Sequence, residues 1–250
     1  MPHHAIAQLT GSRSHQCDAA ATWTNGSARA YVLLDGMGSS PTVRAWACQF
    51  AEVLACEAAM RTDAEQGLRA THTLAAADRR RIVADGGDKV GAVAVVALID
   101  GDVLQVAWCG DARAYLLSPG QPLRRLTKDH NQRQVALDHG REPASNARNV
   151  VTSYLGQLTE NPAIGTDTLL LPGPNDRLLL ASDGAYEPLE DAGLDLATYL
   201  QGPAEQAATI LTTAAIDHAD SRADNASALV ADLSREPVRT SRRATATRQR

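Results

Sequence analysis

Apolar residues in this chain follow two different periods. A near-continuous apolar run at 28–34 ends in Asp35-Gly36-Met37-Gly38, and a second extended run at 18–23 precedes it across Thr24-Asn25-Gly26-Ser27. Asn-Gly between two extended runs signals a hairpin, and glycine after a buried run marks a tight turn. The spacing then lengthens. Val43, Trp46, Ala47, Phe50, Val53, Leu54 and Ala58 recur at helical intervals and Pro41 suits a first turn, which predicts a helix over 41–60. A second helix is predicted from 63 to about 84, with Asp63 as its N-cap and Gly86-Gly87 as its stop. Strand character returns at 92–99, turns at Asp100-Gly101-Asp102, continues at 103–108, breaks at Cys109-Gly110-Asp111 and resumes at 112–117.

Beyond Pro119-Gly120 come Leu126-Thr127-Lys128-Asp129-His130 and a short helix over 132–139, followed by a stretch from 140 to 165 with little regular pattern. Strands at 168–171 and 177–181 flank a turn at 172–176, a helix covers 204–218, and a strand at 226–232 closes the sequence of elements. Strands and helices are segregated rather than alternating. That predicts an α+β fold with antiparallel sheets, not a doubly wound parallel sheet.

Composition adds little to this picture but excludes some partners. The 250 residues suffice for one large or two small domains, and 44% apolar with 21% charged residues is ordinary for a globular protein. With one Phe and 4% aromatics, the core must rest on Val, Leu, Ile and Ala. Six arginines against one glutamate in 234–250 leave the rest of the chain, on an overall −5, at −10. An acidic body argues against a nucleic-acid partner. The scarcity of lysine, found only at Lys89 and Lys128, reads as genome composition.

The cysteines Cys17, Cys48, Cys56 and Cys109 are scattered, so neither a zinc knuckle nor a disulfide framework is indicated, and Cys48 and Cys56 read as small core residues of the first helix. The start has no signal-peptide pattern and no apolar run reaches membrane-spanning length, so a soluble, monomeric cytoplasmic protein is expected.

Candidate chemistry lies in the aspartates. Asp35-Gly36, Gly110-Asp111, Asp183-Gly184 and Asp224-Asn225 place carboxylates at strand ends or turns, and Asp18 opens the first strand. Any one of these can be an ordinary turn. Jointly, and with apolar runs leading directly into Asp35, Asp111 and Asp183, they suit hard divalent cations, which take oxygen ligands.

In this order, with Arg13, Asp18, Gly110-Asp111-Ala112-Arg113-Ala114-Tyr115-Leu116, Leu126-Thr127-Lys128-Asp129-His130, Asn149…Leu155-Gly156 and Ser182-Asp183-Gly184, the chain resembles the metal-dependent protein serine/threonine phosphatases of type 2C, the PPM family, in compact bacterial form. The resemblance implies a four-layer αββα sandwich, two antiparallel sheets flanked by helices, over residues 1–233, with 234–250 as a basic disordered tail. It implies hydrolysis of phosphoserine and phosphothreonine in the protein substrates of a cellular kinase. Mn2+ or Mg2+, two or three per site, would be the cofactor, and a metal-bridging hydroxide the attacking group. Asp35 would bridge two metals, the Gly36 carbonyl would bind the second, Asp183 and Asp224 would complete the first, and Asp111 would serve a third. Asp18 would hold metal-bound water, and Arg13 would clamp the phosphate, for which a planar guanidinium is suited.

Departures from the family pattern keep a second reading open, a catalytically weak or inactive pseudo-phosphatase acting as a binding or regulatory module. Met37 stands where many members have an acidic His, Cys17 replaces a Glu or Gln, Ser39 a Gly and Ala112 a Ser, and Gly91-Ala92-Val93 stands where Gly-Thr-Thr or similar is usual. His130 reads as a structural turn histidine, 140–165 falls where the family has a flap beside the site, and the tail offers Thr240, Ser241, Thr245 and Thr247 as phosphorylation sites or is simply solvated.

Overall fold

The computed structural model describes residues 4–171 and 175–233. In chain order its elements are β1 (His4–Leu9), β2 (Ala19–Asn25), β3 (Ala28–Gly36), α1 (Pro41–Arg61), α2 (Ala64–Ala84), β4 (Ala92–Asp100), β5 (Val103–Cys109), β6 (Arg113–Leu117), β7 (Arg124–Arg125), α3 (Gln132–Asp138), β8 (Gly165–Leu170), β9 (Asp176–Ala181), α4 (Asp183–Asp191), α5 (Ala204–His218) and β10 (Ala226–Leu233). They form two five-stranded sheets, ordered β1-β10-β9-β6-β7 and β2-β3-β4-β5-β8. The strand pairs in both are antiparallel.

Three apolar clusters stack these elements into four layers. Leu33, Val95 and Val106 of one sheet meet Ala114, Leu180 and Leu229 of the other between the sheets. On the outer face of the first sheet, Val32, Leu34, Ala94 and Val96 pack against Trp46, Phe50 and Leu54 of α1. On the outer face of the second, Leu179, Ala228 and Val230 pack against Tyr186 and Leu189 of α4 and Leu211 of α5. Because β3, β4, β9 and β10 are buried on both faces, they read in sequence as continuous apolar runs rather than alternations. The architecture is the α+β, αββα sandwich expected.

Local chemistry explains the helix boundaries. Ser40 caps α1, its hydroxyl accepting from the Val43 N–H at 3.3 Å, and Pro41 occupies the first turn where no amide donor is needed. Thr62 ends α1 in a left-handed conformation, and the next residue, Asp63, caps α2 by accepting from the Gln66 N–H at 2.9 Å. Three elements were not foreseen, among them the two-residue β7. β1 is short and Ala-rich, and α4 begins at an Asp-Gly pair that resembles a turn and contains Pro188.

The assignment of Cys48 and Cys56 to the core needs correction. Cys48 is exposed and Cys56 only half-buried, because the buried stripe of α1 runs through 43, 46, 47, 50, 51, 54, 55, 58 and 59; the buried thiols are Cys17 and Cys109. Residues 126–130 carry no regular secondary structure. Part of the predicted 172–176 turn, and the whole of the 234–250 tail, lie outside the described residues.

On α2, His72 is buried and its Nε2 has no hydrogen-bond partner. Burial lowers its pKa from 6.5. The unfolded chain therefore takes up the proton first, so the stability this group contributes is full above pH 6.5 and is lost as the pH falls below that value. His72→Leu is expected to shrink the difference in melting temperature between about pH 7.5 and about pH 5, measured by thermal unfolding. An unchanged difference would assign the acid sensitivity to other groups.

Candidate metal centre

The antiparallel pairing brings five aspartates to one end of the sandwich. β3 runs into Asp35 and Gly36, and its partner β2 begins beside them, Ala19 facing Leu34 in register, so Asp18 arrives at the same edge. Asp35 faces Val93 at the start of β4, and the β5–β6 turn returns with Gly110 and Asp111. In the other sheet β9 ends at Ala181, two residues before Asp183, and Ala228 of β10 faces it, with Asp224 just upstream.

Glycine is required at three of these junctions, Gly36, Gly110 and Gly184. A Cβ on Gly36 would lie 2.5 Å from the Cys17 carbonyl oxygen, and one on Gly184 would lie 2.2 Å from the Asn225 carbonyl oxygen. Asp183 occupies the first turn of α4, where the helix dipole favours an anion.

Asp35, Asp111, Asp183 and Asp224 line a cavity of about 670 Å³. Asp18 lies beneath it, 3% exposed, and its Oδ2 has no hydrogen-bond partner. The five carboxyl groups act on one another. Burial, then repulsion by Asp183, pushes Asp18 up to about 8, with the Ser227 and Ser182 hydroxyls offsetting part of the rise. Burial and Asp183 push Asp111 up to about 7. Burial and the charges of Asp183, Asp18, Asp111 and Asp224 raise Asp35 well above the carboxylate range. Burial and Asp224 raise Asp183, which shares a hydrogen bond with Asp35.

Among the described residues no three acidic, histidine or cysteine side chains are already drawn to the spacing of a filled cation shell. An all-carboxylate donor set, a buried oxygen without a partner and a shared negative field fit Mn2+ or Mg2+ rather than a soft metal.

Arg13 sits at the mouth, paired with Asp224 and half-exposed. The loop that carries it is fastened by Asn225, whose Oδ1 accepts from the Cys17 N–H at 2.7 Å while Nδ2 donates to the carbonyls of Thr10 and His15 at 2.8 and 3.1 Å. Met37 is exposed at the rim, and its N–H donates to the Gly91 carbonyl at 2.9 Å. Cys17 is buried under Gly36 within the α1 core, its thiol 3.7 Å from the Ser40 carbonyl, and burial raises its pKa. His130 lies behind the Gly110 turn, accepting at Nδ1 from the Gly110 N–H at 3.5 Å and stacked on Trp108, with its pKa lowered by burial.

The stretch 140–165 delivers Arg148, Asn149 and Val151 to the cavity wall. Arg148 pairs with Asp191 at 2.8 Å and with Glu187 at 3.3 Å on α4. Glu187, pushed up to about 8 by burial and by Asp183, was missed in the sequence. Its signal is the spacing Asp183, Glu187, Asp191, one helix face, hidden because Gly184 and Pro188 are poor helix residues. The buried partners Arg113, Asn131 and Tyr186 gave no signal of their own.

Comparison with known proteins bears on this arrangement. The family model described as Protein phosphatase 2C matches residues 12–135. The serine/threonine protein phosphatase PstP of Mycobacterium tuberculosis is 30% identical over 146 residues, 58% of this chain and 28% of PstP, so the chain spans little more than a quarter of the curated relatives it matches. The M. tuberculosis PstP/Ppp structure superposes with a TM-score of 0.74 at 24% identity, over 93% of this chain and 99% of the other. The PstP catalytic domain in complex with two manganese ions does so at 0.69 and 24%, over 92% and 97%. Stp1 of Staphylococcus aureus gives 0.75 at 21%, over 93% and 95%. At these identities the superpositions speak for the fold.

Proposed function

We propose that this chain, which belongs to the protein phosphatase 2C family, is a metal-dependent protein serine/threonine phosphatase acting on phosphoserine and phosphothreonine. The observation that carries the reading is the meeting of Asp35, Asp111, Asp183 and Asp224 in one cavity over the buried Asp18, with an arginine at its mouth. Asp35, the Gly36 carbonyl, Asp183 and Asp224 would hold a pair of Mn2+ or Mg2+ ions, and Asp111 a third. When bound, such cations acidify water and offset charge on the phosphate oxygens.

The remaining work falls to the chain itself. Asp18, with an unpartnered Oδ2, accepts a hydrogen bond from water at the floor of the cavity. Arg13 exchanges its pairing with Asp224 for two phosphate oxygens, and the exposed pair it gives up is worth only about 0–1 kcal/mol. Met37 cannot donate a proton, so protonation of the leaving alkoxide falls to water. The substrates are phosphorylated proteins, those of a serine/threonine kinase. Residues 1–233 form the phosphatase domain and 234–250 a basic tail. No helix among the described residues is long and apolar enough to cross a membrane.

Burial of Cys17 in the core, at a position where the family has a polar side chain, favours the second reading, a pseudo-phosphatase. One assay separates the two. Release of phosphate from para-nitrophenyl phosphate or a phosphothreonine peptide is expected to require Mn2+ and to vanish in Asp183→Ala. Mn2+ binding by calorimetry without turnover on either substrate would establish the pseudo-phosphatase instead.

A further inference from the structure

Asn131 is 2% exposed, and its carboxamide is divided between two tasks. Its Oδ1 caps α3, accepting from the Gln134 N–H at 3.0 Å, and its Nδ2 donates to Asp111 Oδ2 at 3.2 Å. The cap decides which way the amide faces: a flipped group would set donor against donor at Gln134 and acceptor against acceptor at Asp111. Asp111 is also held from its backbone side, where the buried Tyr186 hydroxyl donates to its carbonyl at 2.9 Å. Residue 131 is tied in turn to the cavity wall. It bridges to Val151, while Gln132 N–H donates to the Val150 carbonyl at 2.9 Å and Thr152 N–H to the His130 carbonyl at 2.7 Å.

We propose that Asn131 is a positioning residue for Asp111, using the α3 cap as a fixed anchor to hold Oδ2 of that carboxylate in place at the cavity wall. The inference rests on the assignment of Asp111 to a cation. A buried carboxylate that repels its neighbours needs a donor to fix its rotamer, and partners behind metal-ligating groups commonly change affinity about 10–100-fold. Serine caps helices about as well as asparagine but is too short to span to Asp111 as well. Asn131→Ser therefore separates positioning from capping, and Asn131→Ala removes both.

The test is Mn2+ titration calorimetry on the full chain without substrate, with metal-free melting curves alongside. Asn131→Ser is expected to melt with the unsubstituted protein and to bind Mn2+ about tenfold more weakly at the site that Asp111→Asn abolishes. In the Asp111→Asn background, Asn131→Ser is expected to change nothing further. If Asn131→Ser binds Mn2+ like the unsubstituted protein, Asn131 is only a cap and the inference fails. If Asp111→Asn itself leaves Mn2+ binding unaltered, the assignment of Asp111 fails and takes the inference with it.

Discussion

Asp35→Ala is expected to lower Mn2+-dependent phosphate release by about 10³-fold or more, equivalent to roughly 4 kcal/mol of transition-state stabilisation. Asp35 is the only carboxylate at the end of β3, and burial together with four other aspartates raises its pKa. The same substitution is expected to leave the metal-free protein folded and more stable at alkaline pH. A carboxyl group whose folded pKa is raised above its ordinary 3.8 contributes stability at low pH that is lost as the pH rises through the folded value. Removing one such group also relieves Asp18 and Asp111, which ionise at about 8 and about 7 in the intact cluster. Initial rates with saturating Mn2+, and melts in chelator at about pH 6 and about pH 8, test both halves. A rate within tenfold of the unsubstituted protein would refute Asp35 as a cation ligand.

The largest loss of stability is expected from Arg113→Met. Arg113 and Asp129 are 3% and 7% exposed and joined through two parallel bonds, Nε to Oδ1 at 2.9 Å and Nη2 to Oδ2 at 2.7 Å. The guanidinium also donates to the Tyr115 hydroxyl at 3.2 Å and lies 3.8 Å over the Tyr186 ring. Its second ion pair, with half-exposed Glu190, adds little. Removing Arg113 strands a buried carboxylate, at a cost of about 3–5 kcal/mol. Arg125, 4.0 Å from the same group and exposed, is badly placed to replace it. Urea unfolding measures the loss. The double variant Arg113→Met, Asp129→Leu is expected to recover most of it, since exchanging both partners for apolar groups leaves no unpaired charge. A loss below about 1 kcal/mol in the single variant would mean that Asp129 finds water or another cation.

How much of this was legible in the sequence depended on how local each cause was. The Asn25-Gly26 hairpin, the Asp63 cap and the helical stripe of α1 are set by neighbours a few residues apart, and each was readable. α4 was not, because Gly184 and Pro188 oppose helix and what overrides them is burial of Ala185, Tyr186 and Leu189 against α5 and the sheet. β1 escaped because its six residues become a strand only by pairing with β10, more than two hundred residues away. Cys48 was misplaced because helical periodicity sets a stripe without fixing its edge.

The same division runs through the candidate site. The sequence by itself determined which residues carry negative charge at strand ends, and where glycine must follow. Tertiary structure alone decided that Asp35, Asp111, Asp183 and Asp224 share one cavity, that Asp18 lies beneath it, and that Arg148 and Glu187 wall it. The physical reason is range. Turn and cap preferences act through bonds between near neighbours, whereas the field that raises these carboxyl pKa values exists only once antiparallel pairing has brought distant strand ends within a few ångströms.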